Sequence, residues 1–86
     1  MFTDINDPVF LRYLATSGCE IFGLCGAFCK VGENNYRYVV VGSNRDMRQF
    51  AKEMNSALNG RGGGDSELIQ GSVNATQIQI EEFFNK

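Results

Sequence analysis

The chain has 86 residues, 43% of them hydrophobic, and a net charge of −2, which suits one small domain over residues 1–86 that buries only roughly 60% of the surface exposed by its unfolded chain. That size excludes a deep enclosed active site, no apolar run reaches the length of a membrane span, and the acidic balance argues against an independent high-affinity nucleic-acid binder. Cys19, Cys25 and Cys29, in a chain without histidine, make neither a disulfide framework nor a zinc site and read as small core residues in a reducing compartment.

Met1-Phe2-Thr3-Asp4 lacks the basic and apolar regions of a signal peptide, so a cytoplasmic protein is expected. Residues 1–19 read as a helical lead-in to a core over residues 20–86. Pro8 suits a first helical position and Gly18 the stop, with Val9, Phe10, Tyr13 and Leu14 as the core face. Ile21 to Val31 is apolar on both alternating faces, the pattern of a central strand covered on both sides. Gly32-Glu33-Asn34-Asn35 is a turn, and Tyr36-Arg37-Tyr38-Val39-Val40-Val41 a second strand, so an antiparallel hairpin is expected. Tyr36 and Tyr38 read as sheet-packing aromatics rather than a base-stacking platform.

Ser43 reads as the N-cap of the next helix, with Asp46 as its capping-box partner. Met47, Phe50, Ala51, Met54, Ala57 and Leu58 recur on one face of that helix and leave Arg48, Gln49, Lys52, Asn55 and Ser56 outside. A glycine loop, Asn59 to Asp65, follows. Leu68 to Val73 makes a short strand, and Thr76 with Gln79 caps a final helix that buries Ile80, Phe83 and Phe84. The fold class is therefore α/β: a small mixed sheet, an antiparallel hairpin plus one further strand, packed with two main helices and a short N-terminal helix.

The glycine run is richer than a helix stop requires, since one left-handed glycine suffices for a C-cap. Gly60, Gly62, Gly63 and Gly64 can bring successive backbone N–H groups against an anion or a nucleotide, or they can simply form a flexible connection. The charge distribution bears on this choice. Arg37, Arg45, Arg48, Lys52 and Arg61 against Asp46 and Glu53 give a local +3 between Asn34 and Gly64, although a solvated helix face would carry some of these charges in any case. The loop follows a helix C-terminus, whereas Walker and dinucleotide loops precede a helix N-terminus and use its dipole. No residue pattern supports general acid–base, nucleophilic, metal or cofactor chemistry, so no catalytic residue, metal or cofactor is assigned.

Asn59-Gly60-Arg61-Gly62-Gly63-Gly64-Asp65-Ser66-Glu67-Leu68-Ile69-Gln70-Gly71-Ser72 resembles the glycine-rich signature of the DHH-associated domain, the module that ends alanyl-tRNA synthetases, AlaX-type alanyl-tRNA editing proteins and DHH phosphoesterases. Gly23 to Phe28, Tyr36 to Ser43 and Met54 to Leu58 follow in the family's order, so the resemblance covers roughly Ile21 to Phe84. Asp65 stands where phosphoesterases of this type usually carry histidine, and Ser66 where the family often has proline. Gly-Arg-Gly-Gly-Gly with Gln70-Gly71-Ser72 is more similar to the long AlaX proteins and the C-terminal domain of alanyl-tRNA synthetase. The editing domain's zinc ligands lie upstream in that family and have no counterpart here.

The resemblance implies a non-catalytic C-terminal domain, cut from or encoded apart from an alanyl-tRNA deacylase, that holds tRNA, with alanine tRNA as the expected partner and a homodimer as a further candidate. By position it implies an RNA surface at Gly60, Arg61, Gly62, Gly63 and Gly64, with Ser43 and Arg45 at the adjacent helix start. Arg48 and Lys52 join them on physical grounds, being one turn apart on an exposed helix face, and all four basic side chains are expected to form one contiguous positive surface. Gln70 either touches RNA or satisfies the loop's own backbone. Two other readings stand beside this one: a self-association module, and the substrate-binding lobe of a DHH-family phosphodiesterase, against which Asp65 counts.

Overall fold

The structure is a computed structural model that describes residues 2–43 and 46–84. A five-stranded mixed sheet forms its middle layer, made of β1 (Phe2–Thr3), β2 (Leu24–Gly32), β3 (Asn35–Gly42), β4 (Arg61–Gly64) and β5 (Leu68–Val73). The spatial order is β1-β2-β3-β5-β4. β1 runs parallel to β2, and every other neighbouring pair is antiparallel. Helix α1 (Pro8–Phe22) packs on one face, α2 (Met47–Ala57) and α3 (Gln77–Phe84) on the other. The α/β class, the antiparallel hairpin and the strand from Leu68 to Val73 are as expected. No helix among the described residues is long and apolar enough to cross a membrane.

The N-terminal helix is the longest of the three, not a short one. Pro8 opens it beneath the Asp7 cap, but it runs through Gly18 and ends at Gly23, whose φ of 81° and N–H bond to the Cys19 carbonyl make the left-handed stop. Gly18 is small for another reason. A Cβ there would strike the Cys25 Sγ, so this glycine lets α1 lie close on β2. The face of α1 against the sheet is Leu11, Ala15 and Gly18, flanked by Leu14, whereas Val9 and Tyr13 are 76% and 65% exposed. The centre of the sheet is β3 rather than the strand expected from Ile21, and helix extension moves Ile21 into α1, so β2 begins only at Leu24. Both its faces are covered as expected: Ala27 and Cys29 meet α1, and Phe28 joins the core beneath α2 and α3.

Tyr36 and Tyr38 are buried in that larger core with Met47, Met54, Ile69, Val73 and Ile80. The N-cap of α2 is Asp46 rather than Ser43. Its carboxylate accepts from the Arg48 N–H at 3.0 Å, while the Ser43 hydroxyl donates to the Gly23 carbonyl at 3.3 Å and ties the end of β3 to the α1–β2 junction. Ala57, expected inside, is exposed, and Asn55, expected outside, is half-buried. The second capping box is present: the Thr76 N–H donates to Gln79 Oε1 at 2.9 Å, and the Gln79 N–H to Thr76 Oγ1 at 3.2 Å. The glycine run is not a loop. Arg61–Gly64 is the edge strand of the sheet, paired with β5 from Arg61↔Ser72 to Gly64↔Ile69.

Candidate nucleic-acid interface

Strand alternation decides which side chains share the open part of the sheet. Residues opposite one another across a ladder point to the same face. One such row crosses the sheet as Thr3, Cys29, Arg37, Ser72 and Arg61; the next carries Ala27, Val39, Gln70 and Gly63. Helix α1 covers the β2–β3 part of this face and reaches β5 only at its first residue, Leu68, burying Ala27, Cys29 and Val39 under Leu11 and Ala15. The β5–β4 part is left open. There Pro8, Arg37, Arg61, Gln70 and Ser72 line a shallow concavity of about 430 Å³.

Arg37 and Arg61 flank Ser72 in one row, two strand spacings and so about 10 Å apart at the backbone. Both are exposed, and neither has an ion-pair partner among the described residues. A guanidinium is always charged and presents a planar fork of donors that matches phosphate oxygens. Two such forks beside a hydroxyl and a carboxamide can hold a polyanionic backbone while the neutral groups face its sugars or bases.

The glycines of β4 differ in what they face. A Cβ on Gly62 would meet the Gln70 carbonyl, Gly71 Cα at 2.7 Å and the Tyr38 hydroxyl at 2.7 Å, and one on Gly64 would strike the Leu68 carbonyl. These two glycines serve the close approach of β4 to β5. A Cβ on Gly63 would meet nothing within 4 Å, so that position is the bare outward step beside Gln70. Gly60 is packed against Asn55 Oδ1, Val73 and the Ser72 carbonyl. The Gln70 side chain makes no hydrogen bond to the glycine strand and stands exposed on the concavity.

Arg48 and Lys52 are exposed on α2, which packs on the opposite face of the sheet from the row that carries Arg61. The expected single positive surface is therefore divided between two layers, because strand parity turns Arg61 toward the α1 side. Arg48 is also bound to its own helix cap, with its Nε 3.1 Å from Asp46 Oδ1, so part of its charge is answered locally. Arg45 lies outside the described residues. Ser43, engaged with Gly23, sits near the β5 entry, where the Gly42 N–H donates to the Glu67 carbonyl. Arg37 and Ser72, not among the expected surface residues, also line the concavity. For Arg37 the signal is its place in Tyr36-Arg37-Tyr38, where a lone charge between two buried aromatics must face the other side of the sheet; for Ser72 the sequence carries no such signal.

Asp65 closes the β4–β5 turn. Its Oδ1 accepts from the N–H groups of Glu67 and Leu68, each at 2.9 Å, and those bonds hold its carboxyl below the ordinary carboxylate range. Asp46 is held low as well, first by the side-chain hydrogen bonds of Arg48 and then by the Arg48 N–H. Both groups have a lower pKa in the folded than in the unfolded chain. Their stabilisation is therefore complete above the unfolded value, near about pH 4, and is lost as pH falls through the folded values. Melting temperature is expected to drop on acidification below about pH 4, and less steeply in Asp46→Asn/Asp65→Asn, whose amides do not titrate. An equally steep fall in that variant would place the acid sensitivity elsewhere.

No protein-family model matches the chain, and no characterised relative matches it in sequence. Among solved structures it is similar to the crystal structure of the C-Ala domain from Aquifex aeolicus alanyl-tRNA synthetase, with a TM-score of 0.75 and 19% identity over 99% of this chain and 85% of that one. At that identity the likeness is one of fold: the chain has the architecture of a C-Ala domain.

Proposed function

We propose that this protein is a non-catalytic RNA-binding domain that holds tRNA by its sugar–phosphate backbone on the open β5–β4 face. The observation that carries the reading is the pair of arginines, Arg37 and Arg61, without an ion-pair partner among the described residues and set in one row beside a glycine strand whose outward residue, Gly63, leaves the backbone bare. Double-stranded RNA shows little sequence in its deep groove, so recognition of shape and backbone is the expected mode. Alanine tRNA is the natural first partner, on two supports: the C-Ala architecture of a synthetase named for alanyl-tRNA, and the resemblance of the Gly60–Ser72 segment to alanyl-tRNA editing proteins. In a parent protein of either kind the domain would grip the tRNA while another domain acts on it.

The test is Gly63→Val. The new side chain enters open space, so melting temperature is expected to stay within about 5 °C of wild type, while tRNA affinity falls about tenfold because the isopropyl group lifts the backbone off the strand. Wild-type tRNA binding that Gly63→Val leaves unchanged would remove this face as the binding surface. Undetectable wild-type binding would favour the second reading, self-association, for which Val9 and Tyr13 on the outer side of α1 are the supporting observation.

A further inference from the structure

The glycine strand is held from beneath by one side chain. Asn55, in the last turn of α2, donates from Nδ2 to the Gly62 carbonyl at 3.4 Å, and its Oδ1 accepts the Tyr38 hydroxyl at 3.2 Å. Its own backbone carbonyl accepts the Gly60 N–H at 2.8 Å. Three points of the chain are thus tied to a single residue: the entry to β4, the middle of β4, and the fully buried Tyr38 on the central strand β3. The clearances around it are equally tight, since a Cβ on Gly60 would meet Asn55 Oδ1 at 2.7 Å and one on Gly62 would meet the Tyr38 hydroxyl at 2.7 Å.

An edge strand of four exposed residues, three of them glycine, has little of its own to fix its shape. Glycine loses more backbone freedom on ordering than any other residue, so without a tether β4 would sample many conformations, and a ligand would bear the ordering cost. Asn55 bears part of that cost in advance. It also answers an edge carbonyl that would otherwise be available to a neighbouring strand.

We infer that Asn55 is a positioning residue for the RNA surface: its carboxamide, locked by Tyr38, holds the glycine strand in the one shape that presents Gly63 and Arg61 together, and so sets RNA affinity without touching RNA. The inference rests on the proposed function for its affinity clause alone. The tether itself is read separately.

Two measurements on the whole protein test it, amide hydrogen exchange without RNA and tRNA affinity across a salt series. The variants are Asn55→Ala, which removes both side-chain bonds, and Asn55→Asp, which keeps the acceptor for Tyr38 but sets a carboxylate against the Gly62 carbonyl. Exchange at the β4 amides is expected to accelerate about fivefold in each, the factor set by the net worth of one hydrogen bond, while the β2–β3 hairpin amides keep their protection. Affinity should fall by a similar factor with the slope of log affinity against log salt unchanged, because no phosphate contact has been removed. If Asn55→Ala does not fold, Tyr38→Phe/Asn55→Ala takes its place, since it leaves no buried hydroxyl without a partner. Unchanged β4 exchange overturns the inference whatever the RNA does, as does faster exchange with undiminished affinity. A loss of salt slope in the Asn55 variants would make Asn55 an RNA contact and overturn the positioning role. If wild type binds no tRNA, the proposed function fails first and takes the affinity clause with it, while the exchange result still decides the tether.

Discussion

Replacing Gly62 by valine is expected to lower the melting temperature by roughly 15 °C, in contrast to the near-silent Gly63→Val one residue away. Gly62 has a φ of 151°, a backbone conformation that L side chains rarely adopt, and its missing Cβ is the space into which the Gln70 carbonyl, Gly71 and the Tyr38 hydroxyl fit. Overpacking against backbone costs about 1–3 kcal/mol and a disfavoured φ/ψ region about the same again. Taking about 1.5 kcal/mol for each, their sum of about 3 kcal/mol, at roughly 5 °C per kcal/mol for a domain of this size, gives the expected shift. The strain can be relieved only by peeling β4 from β5, which would uncover the Tyr38–Asn55 pair and disperse the arginine row. Thermal melts of the two variants decide the matter. If Gly62→Val melted with wild type, the close approach of the two strands would not hold in solution, and the distinction between structural and outward-facing glycines would fall.

Removing Arg37 and Arg61 together is expected to weaken tRNA binding about a hundredfold at low salt, as two charge-assisted contacts are lost. The slope of log affinity against log salt should drop by about two, nearly one for each phosphate released, whatever the RNA sequence. Stability should change little, because both side chains are exposed and unpaired among the described residues. Arg48→Ala is expected to do far less, since its guanidinium is already held by Asp46 and it stands on the far layer. A salt titration of tRNA affinity for wild type, the arginine pair and an Arg48→Ala/Lys52→Ala variant separates the two faces. A larger loss from the α2 pair than from Arg37 and Arg61 would move the interface to the other side of the sheet.

The local signals in the sequence were sufficient for the elements that depend on local chemistry. The β-branched and aromatic run from Tyr36 to Val41, the short strand from Leu68 to Val73, the periodic face of α2 and the Thr76–Gln79 cap each follow from nearest-neighbour backbone and side-chain preferences, and each element is found in the structure. Ser43 and Asp46 show the limit of that reasoning. Both are good caps, and the choice fell to Asp46 because Ser43 is drawn to Gly23, a residue distant in sequence.

What the sequence determined by itself is an α/β chain with a core hairpin, a periodic α2 and a glycine–arginine segment too rich for a simple helix stop. Tertiary structure alone decided that this segment is an edge strand, because an exposed run of glycines carries no strand pattern and becomes one only through the register of β5. It also decided that Gly18 is a packing residue and Gly23 the helix stop, since both are equally permissive and only the approach of Cys25 tells them apart. Finally, it chose which charges stand together. Sequence proximity grouped Arg61 with Arg48 and Lys52, whereas the two-residue alternation of paired strands sets it beside Arg37, on the face that α1 leaves open.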